Sequence, residues 1–209
     1  MRNTYKALTI LILVILSITA CTPAASSTST QQTLPEVTTQ AADLPVTEIA
    51  PSETPQIAFE GPAWFAIQMT NVNTGELFSI NDFAGKVVLV ETMAQWCSSC
   101  YKQQTEVKSL IGLLGETPDL VVVILDIDPN ETQESLQSYA STNGFTSFYA
   151  VAPSELAREI SNLYGAQFLN PPSTPVLIID RKGEVHLLPF GIKSAEELKE
   201  AVDPFLTST

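Results

Sequence analysis

The chain has 209 residues, 23 acidic against 10 basic side chains, and a formal net charge of −13. A surface that acidic repels phosphate backbones and anionic headgroups alike. No Lys/Arg cluster interrupts it, which argues against nucleic-acid binding.

Read from the start, residues 1–20 form a targeting signal. Arg2 and Lys6 supply a positive n-region, and Ala7 to Ile18 is an almost unbroken apolar stretch. Its roughly 14 apolar or small residues fall short of the roughly 20 that a membrane span needs. The competing reading is an uncleaved N-terminal membrane helix. Ile18-Thr19-Ala20-Cys21 resembles the bacterial lipobox, which implies lipidation of Cys21 and an anchor on the outer face of a membrane. Residues 21–57 are dominated by Ser, Thr, Pro, Ala and Gln. They hold a hydroxyl run from Ser26 to Thr30 and prolines at 23, 35, 45, 51 and 55. Such a stretch cannot bury enough apolar surface to offset its ordering entropy and is predicted to be a disordered tether.

Residues 58–209 alternate strand and helix patterns. Trp64 to Met69 and Leu77 to Ile80 flank Asn73-Thr74-Gly75 and predict a hairpin. Val87 to Thr92 is a β-branched apolar run, followed by a helical stripe over Cys100 to Leu114. Leu120 to Ile127 reads as another buried strand. Asn130 is the predicted cap of a helix closed by Gly144. Phe148 to Val151 is a strand, and Ser154 to Tyr164 a helix stopped by Gly165. Val176 to Ile179 and Val185 to Phe190 pair across Arg181-Lys182-Gly183. Ser194-Ala195-Glu196-Glu197 is a capping box opening a last helix to about Leu206. Continuous apolar runs at the interior strands predict an α/β domain, a central sheet with helices on both faces.

Trp96-Cys97-Ser98-Ser99-Cys100 carries the chemistry. It follows a strand and opens a helix, whose unpaired N–H groups and partial positive charge stabilise a thiolate. Cys97 is expected to be exposed there, with a pKa below the free value of about 8.5. Cys100, one helical turn on, is near enough to close a disulfide. Cys97 is the predicted nucleophile and Cys100 the resolving thiol. A purely structural disulfide would close a very short loop, the kind that stabilises least. A structural zinc site needs four ligands, and haem attachment needs a histidine where Tyr101 stands. No metal or other cofactor is called for.

Phe83-Ala84-Gly85-Lys86-Val87-Val88-Leu89-Val90, followed by Trp96 and the cysteine pair, resembles the TlpA/ResA-like extracytoplasmic branch of the thioredoxin superfamily. Ser173-Thr174-Pro175-Val176 and the following Leu177 to Gly183 resemble that family's cis-proline loop, strand and turn. The resemblance implies a thioredoxin-like fold with a mixed sheet and an N-terminal hairpin extension. It also implies a cis Thr174–Pro175 bond lying against the cysteines. Trp96, Thr174 and Pro175 would bind substrate, with backbone hydrogen bonds to it from the loop. Glu91, six residues before Cys97, falls where thioredoxins carry a buried acid, usually Asp, that takes the proton of the resolving cysteine. A solvent-facing carboxylate at the strand end is the other reading of Glu91. Ser98-Ser99 replaces the proline-containing pair common in reducing members, which leaves the direction of electron flow open.

The implied partners are protein dithiols and disulfides, the membrane through the lipid anchor, and a membrane thiol carrier of the DsbD/CcdA type as electron donor. The implied activity is thiol–disulfide exchange outside the cytoplasm, reducing protein disulfides, for instance in cytochrome c maturation. The alternative is a Sco-like copper protein using Cys97, Cys100 and His186, the sole histidine. Sco-like proteins, however, space their cysteines by three residues rather than two.

Overall fold

The structure, a computed structural model, describes residues 59, 61–115 and 117–207. The leader, Cys21 and the tether lie outside these residues. Met69–Thr70 (β1) and Leu77–Phe78 (β2) make the hairpin, with Met69 opposite Phe78. It is shorter than the sequence pattern suggests. Trp64 and Phe65 pack in one core with ring centroids 4.7 Å apart, so neighbouring side chains point the same way, which a strand of period two cannot arrange. Ala63–Ala66 instead forms a 3-10 turn after Pro62.

Two valine-rich runs form the centre of the sheet. Val87–Met93 (β3) and Leu120–Asp126 (β4) are buried along almost their whole length and pair in parallel, Val87 opposite Leu120. Phe148–Val151 (β5) continues the parallel arrangement beyond β4. Val176–Ile179 (β6) runs antiparallel on the other side of β3 and carries Val185–Leu187 (β7) at the edge. The spatial order is β5-β4-β3-β6-β7. Ser98–Leu114 (α1), Gln133–Asn143 (α2), Ser154–Tyr164 (α3) and Ala195–Thr207 (α4) complete it. The result is a thioredoxin fold with an N-terminal hairpin extension, its elements in the order the sequence predicts.

The pleat of β3 separates two cores. Val87, Leu89 and Met93 pack with Leu110 of α1, Leu136 of α2 and Leu198 of α4. Val88 and Val90 pack with Leu156 and Ile160 of α3 and with aromatic residues of the N-terminal extension. Helix ends follow local chemistry. The capping box before α4 forms, with Glu197 N–H donating to Ser194 Oγ and Ser194 N–H to Glu197 Oε2. The cap of α2 is Thr132 rather than Asn130, because Asp128 Oδ1 accepts both the backbone and side-chain N–H of Asn130 in a turn that delays the helix. Gly144 closes α2 in the left-handed conformation that glycine adopts without cost. No described helix is long and apolar enough to cross a membrane.

Trp64 is the heaviest anchor of the second core. It is fully buried, lies edge-on to Phe65, and donates from Nε1 to Tyr164 Oη at 3.1 Å. Trp64→Ala is expected to lower unfolding free energy by about 3–5 kcal/mol in a urea titration, the usual loss for emptying an aromatic site.

Candidate active site

At the C-terminal end of β3 the chain leaves the sheet through Ala94-Gln95-Trp96 and enters α1 at Cys97, its N-cap. Cys97 and Cys100 form a disulfide. Cys97 Sγ accepts the Cys100 N–H at 3.2 Å and lies 3.3 Å from Ser99 Oγ. On reduction the Cys100 N–H, with the helix dipole behind it, stabilises a thiolate at Cys97. Contrary to the expectation of an exposed nucleophile, Cys97 is only 3% accessible. A distant segment lies against its neighbours in α1. The 3-10 turn Pro171–Ser173 closes over the start of α1, with Ser99 Oγ donating to the Pro172 carbonyl and Cys100 Sγ 3.2 Å from that of Pro171.

Pro175 follows that turn, and its carbonyl accepts the Thr92 N–H of β3. The loop therefore lies beside the strand leading to the cysteines. The peptide geometry differs from the implied cis bond. No described residue has a cis peptide bond, so Thr174–Pro175 is trans. The reversal of direction is made instead by Thr174, left-handed at φ 44° and ψ 61°, an unusual state for a β-branched residue. Both its backbone groups are engaged internally. Its N–H donates to Pro171 O at 2.8 Å, and its carbonyl accepts from Lys193 Nζ at 3.0 Å.

Glu91 is completely buried rather than turned to solvent. By the alternation of β3 it faces the same side as Leu89 and Met93, the core layer that contains both cysteines. Neither carboxyl oxygen has a donor within hydrogen-bonding distance. Burial pushes its pKa from 4.5 up to about 8, a rise that a nearby Gln104 amide and the Lys193 charge only partly offset. A group of this kind, poised near neutrality, can hold or accept a proton beside a reacting thiol.

Trp96 is 62% exposed and directed by Asp128, whose Oδ2 accepts its indole N–H at 2.7 Å. Together with Pro129, Leu169 and Pro171 it borders a groove of about 320 Å³. Beneath it, Gln95 is clamped by two carboxylates. Its N–H donates to Glu131 and its side-chain amide to Asp126 Oδ2. Burial, followed by a hydrogen bond shared with Glu131, raises the Asp126 pKa from 3.8 to about 7.

The structure places Trp96 next to Cys97, Glu91 on the core face of β3 that the cysteines share, and Pro175 beside Thr92 at the end of that strand. It does not bring His186 to them. That ring stacks on Phe205 and its Nε2 lies 3.1 Å from Asp180 Oδ2. Among the described residues, the metal-ligating atoms that converge with it are those of Asp180 and Glu184, without a cysteine. Cys21 lies outside the described residues. Sequence reading missed Gln103, Gln104, Asp126 and Lys193, all buried polar residues. Gln103 and Gln104 were detectable, since they follow Cys100 by one helical turn on the inward face of α1.

No protein-family model matches the chain, and no curated protein matches it in sequence. Solved structures share its fold. A thiol:disulfide interchange protein from Chlorobium tepidum TLS is 20% identical at a TM-score of 0.57, covering 71% of this chain and 97% of that one. A secreted thiol-disulfide isomerase from Corynebacterium glutamicum is 14% identical, TM-score 0.57, covering 68% and 84%. A DsbF homologue from Corynebacterium diphtheriae is 16% identical, TM-score 0.54, covering 66% and 83%. At these identities the likeness is one of fold.

Proposed function

We propose that this protein is a membrane-anchored, extracytoplasmic thiol–disulfide oxidoreductase that reduces protein disulfides. One observation carries the reading: a Cys97–Cys100 disulfide lies at the start of a helix in a thioredoxin fold, with a buried acid on the strand that leads to it. In the reduced protein the Cys97 thiolate attacks a substrate sulfur and displaces the other as a thiolate. Cys100 then gives its proton to the Glu91 carboxylate and attacks Cys97 Sγ. The second substrate thiolate leaves, the substrate has gained two electrons, and the protein disulfide has reformed. Trp96 and the groove beside it would receive the apolar flank of the substrate.

Lipid on Cys21 would tether the domain to the membrane. A thiol carrier of the DsbD/CcdA type would re-reduce the pair, and apocytochrome c is a fitting substrate class. The deciding measurement is the reduction potential of the Cys97–Cys100 pair, equilibrated against glutathione or dithiothreitol. A value near that of thioredoxin, about −270 mV, is expected; one near the about −120 mV of strong oxidants would reverse the direction of electron flow and remove the reductase reading.

A further inference from the structure

Of the described residues that line the groove beside the disulfide, one is charged: Asp128. The groove starts at the cysteine pair. Trp96, on one wall, directly precedes Cys97, and Pro171, on the other, has its carbonyl 3.2 Å from Cys100 Sγ. Ile127, Pro129 and Leu169 add apolar lining. A polypeptide whose own cysteine is engaged at this site would lay its neighbouring residue on apolar surface with a single carboxylate in reach.

That carboxylate is organised but not neutralised. Asp128 Oδ1 accepts the Asn130 N–H and side-chain amide, both at 2.9 Å, and Oδ2 accepts the Trp96 indole N–H at 2.7 Å. The Asn130 N–H first, then the indole, hold its pKa below the usual carboxylate range and so favour the ionised form. These donors are neutral, and a carboxylate has room for about one more. Among the described residues the ion pairs are Arg181–Asp119, His186–Asp180 and Lys199–Asp203, so no cation answers Asp128. Lys193, the buried cation of the facing loop, is pinned by Gln103, which accepts its N–H at 2.8 Å. Its ammonium is committed to the carbonyls of Thr174 and Gly191. Glu131 adds charge of the same sign as Asp128, with both its oxygens accepting the N–H of Gln95, one residue before Trp96.

We propose that Asp128 is a specificity-determining residue of the exchange site, favouring protein disulfides in which a basic residue flanks the attacked cysteine. This rests on the reading of the protein as a disulfide reductase and names the substrate class it prefers. A lysine laid along the groove rests its apolar stem on the lining and brings its ammonium to the carboxylate. A glutamate in the same place meets repulsion from Asp128, with Glu131 behind it.

The test uses short peptides that differ only in the residue beside a single cysteine, which is lysine, glutamine or glutamate. The cysteine is held in a mixed disulfide with mercaptoethanol. The reduced protein converts each to peptide thiol and mercaptoethanol while its own Cys97–Cys100 disulfide re-forms. At low salt the lysine peptide is expected to react about fivefold faster than the glutamate peptide, the upper end of what one exposed charge pair supplies. The glutamine peptide should fall between them, and added salt should shrink the ratio. In Asp128→Asn the ratio should approach one, whatever happens to the rates themselves. Glu184→Gln removes one charge from the exposed β6–β7 turn and should keep the wild-type ratio. Serine versions of the peptides, titrated against the oxidised protein and followed by tryptophan fluorescence, should bind in the same order without turnover. Equal binding of the lysine and glutamate peptides, or a rate ratio that Glu184→Gln moves as far as Asp128→Asn does, overturns the proposal. Preferential binding of the lysine peptide with no reduction of any peptide would remove the proposed function alone.

Discussion

Cys97→Ala is expected to bring the reduction of insulin disulfides by dithiothreitol back to the rate of dithiothreitol alone, a loss of about 10³-fold or more. The size follows from the division of labour at the helix start. The Cys100 N–H donates to Cys97 Sγ at the positive end of α1, where it stabilises a thiolate. Cys100 sits deeper, fully buried, against the Pro171 carbonyl. It cannot replace Cys97 as the attacking sulfur. Cys100→Ser should behave differently: attack proceeds, resolution does not, and the mixed disulfide accumulates as a covalent species visible by mass spectrometry under non-reducing conditions. Equal residual activity in the two variants would refute the assignment of roles.

The second large effect is on stability. The Glu91 pKa stands at about 8 in the folded protein against 4.5 as an ordinary carboxyl. Between those values the native state keeps a proton that the unfolded chain has released. Stability is therefore fully present below about pH 4.5 and is lost as pH rises through 8, by on the order of 5 kcal/mol. Asp126, raised from 3.8 to about 7, adds a loss of the same sign over a lower window. Glu91→Gln removes the larger contribution, because the amide has no proton to surrender. Urea unfolding should show the variant close to wild type at pH 5 and more stable by on the order of 3–5 kcal/mol at pH 9, with unchanged m-values. A difference independent of pH would show that Glu91 is not the group responsible.

Much of this was legible before any coordinates. β3 and β4 are strands because short β-branched apolar runs bounded by polar loops have no other economical burial, and both are found where the runs fall. Ser194 and Glu197 cap α4 as their spacing requires. The cysteine pair, Glu91 and the Thr174–Pro175 loop meet because strand ends and helix starts of this topology meet there. Features that depend on one distant segment covering another were not legible. The seating of Pro171–Ser173 on Ser99 and Cys100, more than seventy residues away, is one such feature. The trans bond at Thr174–Pro175 goes with a left-handed threonine whose carbonyl is tied to a lysine. That lysine reads as surface by type, and only the glutamine that pins it shows otherwise.

The turn that covers the sulfurs has a kinetic meaning. A disulfide open to solvent trades partners with whatever thiol collides with it, at a pace proportional to the supply. If exchange requires Pro171–Ser173 to leave Ser99 and Cys100, opening precedes attack. Once thiol is abundant, the opening itself becomes the slow event, and adding more no longer hastens exchange. A partner able to pry the turn aside as it docks escapes that ceiling, and small diffusible thiols do not. Discrimination between a protein partner and the surrounding thiol pool can thus reside in a hinge rather than in the chemistry of the sulfur.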